Sequence, residues 1–410
     1  MNRVPALAAG SGAEFARRAV GIVTDRVVEA RDGRIHSLTA HPDDRFDVVM
    51  FFAGTAAQLY QVRHWLGPLT ELDRHLRVAI LFRDARNARA IAGETSLPVR
   101  MSRRSDACNR WIDGSGARLV LYANHNTDNF QTLRLRRPAH AHVNHGESEK
   151  IAMVSNQLKA YDRTFVAGPA SRERILHTLV DFDPARIVEI GRPQIDVPPG
   201  PRHLPASDRT TVLYAPTWEG DTAAMAYGSV ADHGVAIATA VLASPRHRLL
   251  YRPHPQTGTR SRRTAAADQR IRELTRRAAA ADPAVGHVVD DGPEWGWQWA
   301  EADVCVCDVS AVVFDWLATG KPLLLTPPDD TATEVGATTD RLPRLADGEE
   351  ERVLDRLSDP TDAELVALLV AHHFGDTSPG ASMGRFVDAC RRTVTDRRRA
   401  LGEDDGMHPA

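Results

Sequence analysis

The chain has 410 residues, of which 42% are hydrophobic and 26% charged, and its formal net charge is -3. This length exceeds what one hydrophobic core usually supports, so it predicts two domains. The weak net charge excludes a broad basic field that would attract nucleic acid, and we expect no nucleic-acid partner. The sequence has neither an apolar run of roughly 18 residues nor the apolar centre of a secretory signal, so we expect a cytoplasmic protein.

The first half of the sequence alternates between short apolar runs and longer segments with room for helices. Predicted strands cover residues 20–25, 47–54, 76–83, 117–124 and 163–168. A proline-rich stretch from Asp196 to Thr210 then has the composition of a linker. We therefore predict an N-terminal domain of residues 1–200, a C-terminal domain of residues 201–400 and a tail of residues 401–410.

The second half repeats this alternation. Predicted strands cover residues 211–217, 247–255, 286–291, 303–310 and 322–328, and predicted helices cover residues 231–243, 262–280, 294–302, 312–319 and 381–399. Nearly continuous apolar strands followed by helices predict an α/β protein with parallel sheets covered on both faces. Open sheets of this kind bind ligands beyond the carboxyl ends of their strands, so functional residues are expected in the loops that follow strands.

The four cysteines, Cys108, Cys305, Cys307 and Cys390, are too few and too scattered for a disulfide framework. They fit a reducing compartment. Cys305 and Cys307 stand inside an apolar strand, where small core residues are expected, whereas zinc ligands usually come from turns.

The segment after the predicted strand that ends at Asp308 is a first candidate for binding an anion. A tight turn at Val309 and Ser310 leads into a helix, whose first N–H groups attract negative charge. Ser310 supplies a hydroxyl for a phosphate, or it is simply the residue that caps the helix. Both interpretations stay open on sequence alone.

Two further loops present polar groups after predicted strands. Arg252 and His254 follow one strand, between prolines, and suit two phosphate oxygens; the alternative is a solvated polar loop. Thr217, in the segment TVLYAPTWEG, follows another strand and is a candidate for the same ligand. Its neighbour Trp218 is equally explained by packing.

In the first half, the segment HVNHGESEK places His145 after a predicted strand. A histidine titrates near neutral pH and can take a proton from a hydroxyl group. Gly146 permits a sharp turn or a close ligand, and Lys150 is a supporting charge. A metal site built from His140, His142 and His145 lacks a second cluster of ligands, and a polar loop without a chemical role is the remaining alternative.

These segments, in this order, resemble the CDP-glycerol glycerophosphotransferases, which make teichoic acid and capsule polymers. The matching elements are His145-Gly146 with Lys150, Gly191-Arg192-Pro193 with Asp196, Tyr214 to Trp218, His254-Pro255, Asp308 with Ser310, Phe314-Asp315 and Lys321-Pro322. The resemblance implies a GT-B fold, two Rossmann-like domains facing a cleft, with the CDP-linked donor bound mainly by the C-terminal domain.

The resemblance also implies an activity and roles for particular residues. Glycerol phosphate, or a related polyol phosphate, would pass from the CDP-linked donor to a hydroxyl of a polymer or lipid-linked acceptor, with release of CMP. His145, as the base, and His254 would be the catalytic residues, and His254, Asp308 and Ser310 would lie near the donor phosphates. Arg252 and Thr217, which follow predicted strands, are further candidates for binding the donor. No cofactor or metal is implied, and a lipid-linked acceptor implies peripheral contact with the inner face of the membrane.

The sequence departs from the family pattern at two places. Cys307, Val309 and Ala311 surround the Asp308 element where the family commonly has hydroxyl side chains, and Glu147 and Glu149 stand between His145 and Lys150. The acceptor or the donor polyol can therefore differ from the usual ones. A GT-B sugar transferase, a nucleotide-sugar 2-epimerase and a non-catalytic nucleotide-binding module remain alternatives.

Overall fold

The computed structural model of the chain describes residues 38–146, 154–198, 203–220, 226–292, 294, 296–326, 338–358 and 362–403. The predicted strand at residues 20–25 lies outside the described residues. So do Glu147, Glu149 and Lys150, and most of the predicted tail.

The first sheet has seven strands in the order β3-β2-β1-β4-β5-β6-β7. They are β1 Val48–Phe52, β2 Val78–Phe82, β3 Val99–Met101, β4 Leu119–Tyr122, β5 Ala139–His142, β6 Arg163–Val166 and β7 Ile187–Glu189. β1 and β2 pair in parallel from Val48 opposite Val78 to Phe52 opposite Phe82, and all ten residues are buried. Burial on both faces explains why these strands are apolar throughout, with no polar residue at alternate positions.

The second sheet has five strands in the order β10-β9-β8-β11-β12. They are β8 Thr210–Ala215, β9 His247–Tyr251, β10 Val288–Val289, β11 Val304–Cys307 and β12 Leu323–Leu325. The pairings β8–β9, β8–β11, β9–β10 and β11–β12 are all parallel. The prediction of parallel sheets is thus confirmed in both halves of the chain.

The helices lie mostly between strands, as expected for an α/β fold. They are α1 Tyr60–Asp73, α2 Ala85–Ala92, α3 Ser105–Ser115, α4 Asn129–Thr132, α5 Pro169–Thr178, α6 Val235–Ala243, α7 Arg262–Ala281, α8 Trp297–Glu301, α9 Ala311–Leu317, α10 Val353–Leu357, α11 Ala363–Phe374 and α12 Ala381–Ala400. Five had been predicted, and α7 and α12 agree within one residue at either end.

Contacts divide the chain into two compact units. One comprises the described residues of Met1–Leu59, Leu72–His140 and Thr393–Ala410, and the other those of Tyr60–Glu71 and Ala141–Arg392. The second unit includes the whole five-stranded sheet, helix α1 up to Glu71 and the loop that follows β5. The boundary near residue 200 stays a prediction.

The predicted core positions of Cys305 and Cys307 are confirmed. Cys305 and Cys307 lie on β11 with no exposed surface, and all four cysteines are buried and unbridged. Among the described helices, none has both the length and the apolar composition that a membrane span requires.

Candidate active site

His145 stands on a turn that follows β5, in the second compact unit. Asn144 has a φ of 54°, and its side-chain Oδ1 accepts a hydrogen bond of 2.8 Å from the backbone N–H of His145. Asparagine is among the few residues that adopt this left-handed conformation readily. The local sequence therefore forms the turn that carries the half-buried His145.

Helix α1 fixes this turn with three side chains. His64 Nδ1 lies 2.9 Å from the carbonyl oxygen of His145, and Trp65 Nε1 donates to the carbonyl oxygen of Asn144 at 2.5 Å. The ring of Tyr60 meets the imidazole of His145 edge-on, at 5.6 Å between centroids and 85° between planes. Tyr60, His64 and Trp65 were not among the predicted site residues. Tyr60 and His64 are four positions apart and therefore share one helix face.

The contact with a carbonyl oxygen defines the tautomer of His64. A carbonyl only accepts, so Nδ1 carries the hydrogen and donates it. Burial, and next the Arg192 guanidinium, lower the pKa of His64 to about 3. His64 is therefore neutral at physiological pH and holds the His145 backbone with a fixed donor.

His254 follows β9 and is held by two aromatic rings. It stacks on Trp218 at 6.0 Å and 17°, and it meets the ring of Tyr60 at 5.9 Å and 75°. Its Nδ1 accepts a hydrogen bond of 3.1 Å from the backbone N–H of Gln256. Because an N–H only donates, Nδ1 is unprotonated and the neutral imidazole has its hydrogen on Nε2.

The Tyr60 ring thus contacts both predicted catalytic histidines. His145 comes from the loop after β5 and His254 from the loop after β9, which are more than 100 positions apart in the sequence. The resemblance predicted that these two side chains belong to one site, but the predicted site did not include the tyrosine between them. Their catalytic roles stay predictions.

The segments that contain Ser310 and Gly146 lie next to each other. Ser310 is the N-cap of α9, with its Oγ accepting a 3.3 Å hydrogen bond from the N–H of Val312. A Cβ atom placed on Gly146 would come within 3.1 Å of the Cβ of Ala311, the residue after Ser310. The capping alternative is therefore observed, and the small residues at 146 and 311 let the His145 turn approach the start of α9.

Asp308 is completely buried beneath this site. One carboxylate oxygen accepts from the N–H of Thr217 at 2.7 Å and of Ser229 at 3.1 Å, and the other accepts from the Thr326 hydroxyl. Burial raises its pKa against the effect of these hydrogen bonds. Asp308 therefore holds neighbouring loops in place, and the predicted proximity of Asp308 and Thr217 to the donor phosphates stays a prediction.

Arg252 and Glu219 organise the loop around His254. Arg252 is paired with Asp290 and also donates to the carbonyl of Gly292 at 3.2 Å, so its predicted contact with phosphate stays a prediction. The Glu219 carboxylate accepts from the backbone N–H groups of Gly258, Arg260 and Ser261 at 2.7–3.0 Å. Glu219 was not among the predicted site residues, yet its carboxylate fixes the segment that follows His254.

The Gly191 to Asp196 element has a structural explanation. Gly191 has a φ of +73°, and a Cβ there would meet Ser382 Oγ at 2.2 Å. Only glycine fits such a close approach at this φ. The Asp196 carboxylate accepts from the N–H of Gly380 at 3.1 Å and of Met383 at 2.7 Å, which fixes the start of α12.

Among the described residues, His233, Asp347 and Glu350 have ligand atoms close enough to share a metal ion. The two ring nitrogens of His233 face different carboxylates, Nδ1 at 2.6 Å from Glu350 and Nε2 at 3.8 Å from Asp347. Each ring nitrogen thus faces one carboxylate, and these contacts are ion pairs only when His233 is protonated. These residues are not among the predicted site residues.

Comparison with known proteins gives a family and a fold. The family described as CDP-Glycerol:Poly(glycerophosphate) glycerophosphotransferase matches residues 108–335, which is more than half of the chain. A search among curated proteins found no significant match.

Solved structures resemble the chain over most of its length. A putative UDP-N-acetylglucosamine 2-epimerase from Listeria monocytogenes is 15% identical over 88% of this chain and 98% of that chain, with a TM-score of 0.56. The wall teichoic acid polymerase TagF is 14% identical over 95% of this chain and 99% of that chain, with a TM-score of 0.51. These similarities show the fold and confirm the predicted α/β architecture of the GT-B type.

Proposed function

The chain belongs to the CDP-glycerol:poly(glycerophosphate) glycerophosphotransferase family, and from this premise we propose that it transfers glycerol phosphate, or a related polyol phosphate, from a CDP-linked donor to a hydroxyl group. The acceptor is a cell-envelope polymer or a lipid-linked molecule, and the leaving group is CMP. The family itself supports glycerophosphotransferase-like chemistry. The donor polyol and the acceptor are the finer parts of the proposal.

In the proposed reaction the acceptor oxygen attacks the distal phosphorus of the donor. A new P–O bond forms to the acceptor, the bond to the bridging oxygen breaks, and CMP leaves with the electron pair of that bond. The acceptor hydroxyl loses its proton to the His145 imidazole. A base positioned in this way contributes roughly 10²–10⁴-fold to the rate.

His254 has the complementary role of a hydrogen-bond donor. Its Nδ1 is engaged by the N–H of Gln256, so the neutral ring presents a hydrogen on Nε2. In our proposal this N–H stabilises the charge that gathers on the donor phosphoryl oxygens, assisted by the Ser310 hydroxyl. Stabilisation by donors that are already in place avoids a cost of reorganisation during the reaction.

The observation that carries the proposal is the contact of both imidazoles with Tyr60, at 5.6 Å for His145 and 5.9 Å for His254. It supports a common site for the group that removes a proton and the group that binds the donor. The close approach of Gly146 to Ala311 supports including the Ser310 segment in the same site.

A donor screen tests the proposal. Purified protein is incubated with CDP-glycerol, CDP-ribitol, UDP-sugars and GDP-sugars, with and without a polyol phosphate acceptor. We expect acceptor-dependent CMP release from a CDP-polyol. Release of UDP or GDP would favour sugar transfer, conversion of a UDP-sugar without acceptor would favour epimerisation, and binding without turnover would favour a non-catalytic module.

Peripheral membrane association is a separate part of the proposal, which follows from a lipid-linked acceptor. Cell fractionation at low and high salt tests it. We expect the protein in the membrane fraction at low salt and partial release at high salt, because attraction to anionic lipids is screened. Protein that stays in the supernatant under both conditions would contradict it.

A further inference from the structure

A cavity of about 50 Å³ lies behind the His145 turn, within the second compact unit. Its wall is formed by Asn144 and Gly146 of that turn, by Trp65 of α1, and by residues of β6, α5 and the segment after β7. One buried water needs about 10–15 Å³ of such volume, so the cavity accommodates a few waters or a small molecule. His145 itself is not among the lining residues.

Two lining residues have buried polar side-chain atoms that make no hydrogen bond among the described residues. Thr164, on β6, is 2% exposed, and its hydroxyl oxygen makes no hydrogen bond there. The side-chain amide nitrogen and oxygen of Gln194 are also buried and make no hydrogen bond there. Buried polar atoms almost always have a partner, so three such atoms around one cavity point to something that the cavity holds.

Gln194 stands on a rigid support. It lies in the short 3-10 helix Pro193–Asp196, between Arg192, which pairs with Asp315 at 2.8 Å, and Asp196, which accepts from the N–H of Met383 at 2.7 Å. Its amide therefore has a defined position from which to bind a ligand. An amide both donates and accepts, as the Thr164 hydroxyl does.

The wall chemistry selects the kind of ligand. Carbon surfaces come from Trp65, Val143, Phe165 and Ile190, and the lining contains no carboxylate. Its polar residues include Thr164 and Gln194, whose side chains are neutral, and the cationic Arg174 and Arg192. Alternating C–H and O–H groups of a short polyol match such a wall, with hydroxyls to Thr164 and Gln194 and carbons to the apolar side.

We propose that this cavity is the subsite for the terminal polyol unit of the acceptor, with Thr164 and Gln194 as the residues that select it. The proposal rests on the proposed transferase function. Asn144 and Gly146 border the cavity and also flank His145, so the polyol bound there adjoins the turn that carries the proposed base. A bound unit would replace the hydrogen bonds that Thr164 and Gln194 lack.

Direct binding tests the site without relying on catalysis. The full chain is titrated with glycerol and with sn-glycerol 3-phosphate, and saturation transfer from protein to the ligand protons is recorded by NMR. Each lost hydrogen bond is expected to weaken binding by about fivefold. We expect this loss in Thr164→Val and in Gln194→Leu.

Thr239→Val is the matched control. It makes the same chemical change on the exposed side of α6, where the hydroxyl donates to the carbonyl of Val235 at 2.7 Å. We expect it to bind both probes like the unmodified chain. Thermal unfolding of each variant identifies a protein that fails to fold, and Thr164→Ser, which retains the hydroxyl, is then expected to restore binding.

The outcomes separate this proposal from the transferase proposal. Variants with unchanged affinity for both probes, or crystals soaked with sn-glycerol 3-phosphate that contain only water in the cavity, would overturn the subsite even if CMP release occurs. Loss of binding in both variants would support the subsite even if no CMP is released. In the transfer reaction we expect both variants to raise the acceptor KM about fivefold with the donor KM unchanged.

Discussion

Arg192 and Asp315 form a two-point ion pair with almost no exposed surface. Nε lies 2.8 Å from Oδ1 and Nη2 lies 3.2 Å from Oδ2, and the side chains are 5% and 3% exposed. Arg192 Nη1 also donates to the carbonyl oxygen of His145 at 3.4 Å. The pair therefore joins the segment after β7 to helix α9 and supports the His145 turn.

The first prediction concerns the stability of this pair. Arg192→Met or Asp315→Leu alone leaves one buried charge without compensation, which typically costs about 3–5 kcal/mol. The double variant Arg192→Met/Asp315→Leu leaves no charge and is expected to recover most of that loss in urea unfolding. Arg270→Met, in an exposed pair with Glu273, is the control and should change stability little. Single variants as stable as the double variant would contradict the interpretation.

The second prediction concerns Tyr60. The ring, and not the hydroxyl, is the part that contacts both imidazoles, so Tyr60→Phe should retain activity. Tyr60→Ala removes the support of both rings, and small displacements of reacting groups reduce rates by about 10²-fold. Steady-state measurement of CMP release gives kcat for both variants. An equal fall in kcat in Tyr60→Phe and Tyr60→Ala would show that the hydroxyl has the essential role.

The third prediction concerns pH. The unfolded chain protonates His64 near its ordinary pKa, whereas the folded protein protonates it only near pH 3. Its contribution to stability is therefore present above about pH 6.5 and is lost as the pH falls toward 3, by up to about 1.4 kcal/mol per pH unit. His64→Asn retains an N–H in the place of Nδ1 and removes the titration.

Urea unfolding at pH 7, 6, 5 and 4 measures this difference. The stability of the unmodified chain should fall relative to His64→Asn across this range. His177→Asn, on the exposed side of α5, is the control and should leave the pH dependence unchanged. Parallel curves for His64→Asn and the unmodified chain would contradict a buried neutral His64.

The fourth prediction separates the two roles of Ser310. Ser310→Ala removes the cap of α9, which costs about 1 kcal/mol, and also removes the hydroxyl proposed for the donor. Ser310→Asp retains a cap but places a negative charge beside the proposed phosphate site, so its donor KM should rise at least about tenfold.

Ser261→Ala is the control for capping alone, since Ser261 caps α7 by accepting from the N–H of Thr264 at 3.1 Å. It should reduce stability without changing the donor KM. If Ser310→Asp and the unmodified chain have the same donor KM, Ser310 is only a cap.

The sequence predicted the strands well where they are apolar on both faces. VVMFF and VAILF are completely buried, and the structure has β1 and β2 at these positions. The short strands β3 and β7 were not predicted because each contains a charged residue and a partly exposed position, whereas β12, which is equally short, is apolar and buried throughout. The missed strands therefore lack the continuous apolar run on which the prediction depended.

The candidate site was predictable only in part. His145, His254 and Ser310 follow strands, and strand ends in parallel sheets are where ligands bind. Tyr60, His64 and Trp65 lie on a helix far from these motifs in sequence, and their contacts with the His145 turn depend on tertiary packing. The complete burial of Asp308 was likewise not predictable, because an aspartate that follows a strand is equally typical of a helix cap and of a ligand-binding residue.

The most direct test of the central claim is acceptor-dependent CMP release by the unmodified chain and by His145→Asn. We expect the variant to bind the CDP-polyol donor with unchanged affinity while kcat falls about 10²–10⁴-fold. His177→Asn should behave like the unmodified chain. Full CMP release by His145→Asn would contradict the role of His145 as the base that removes the acceptor proton.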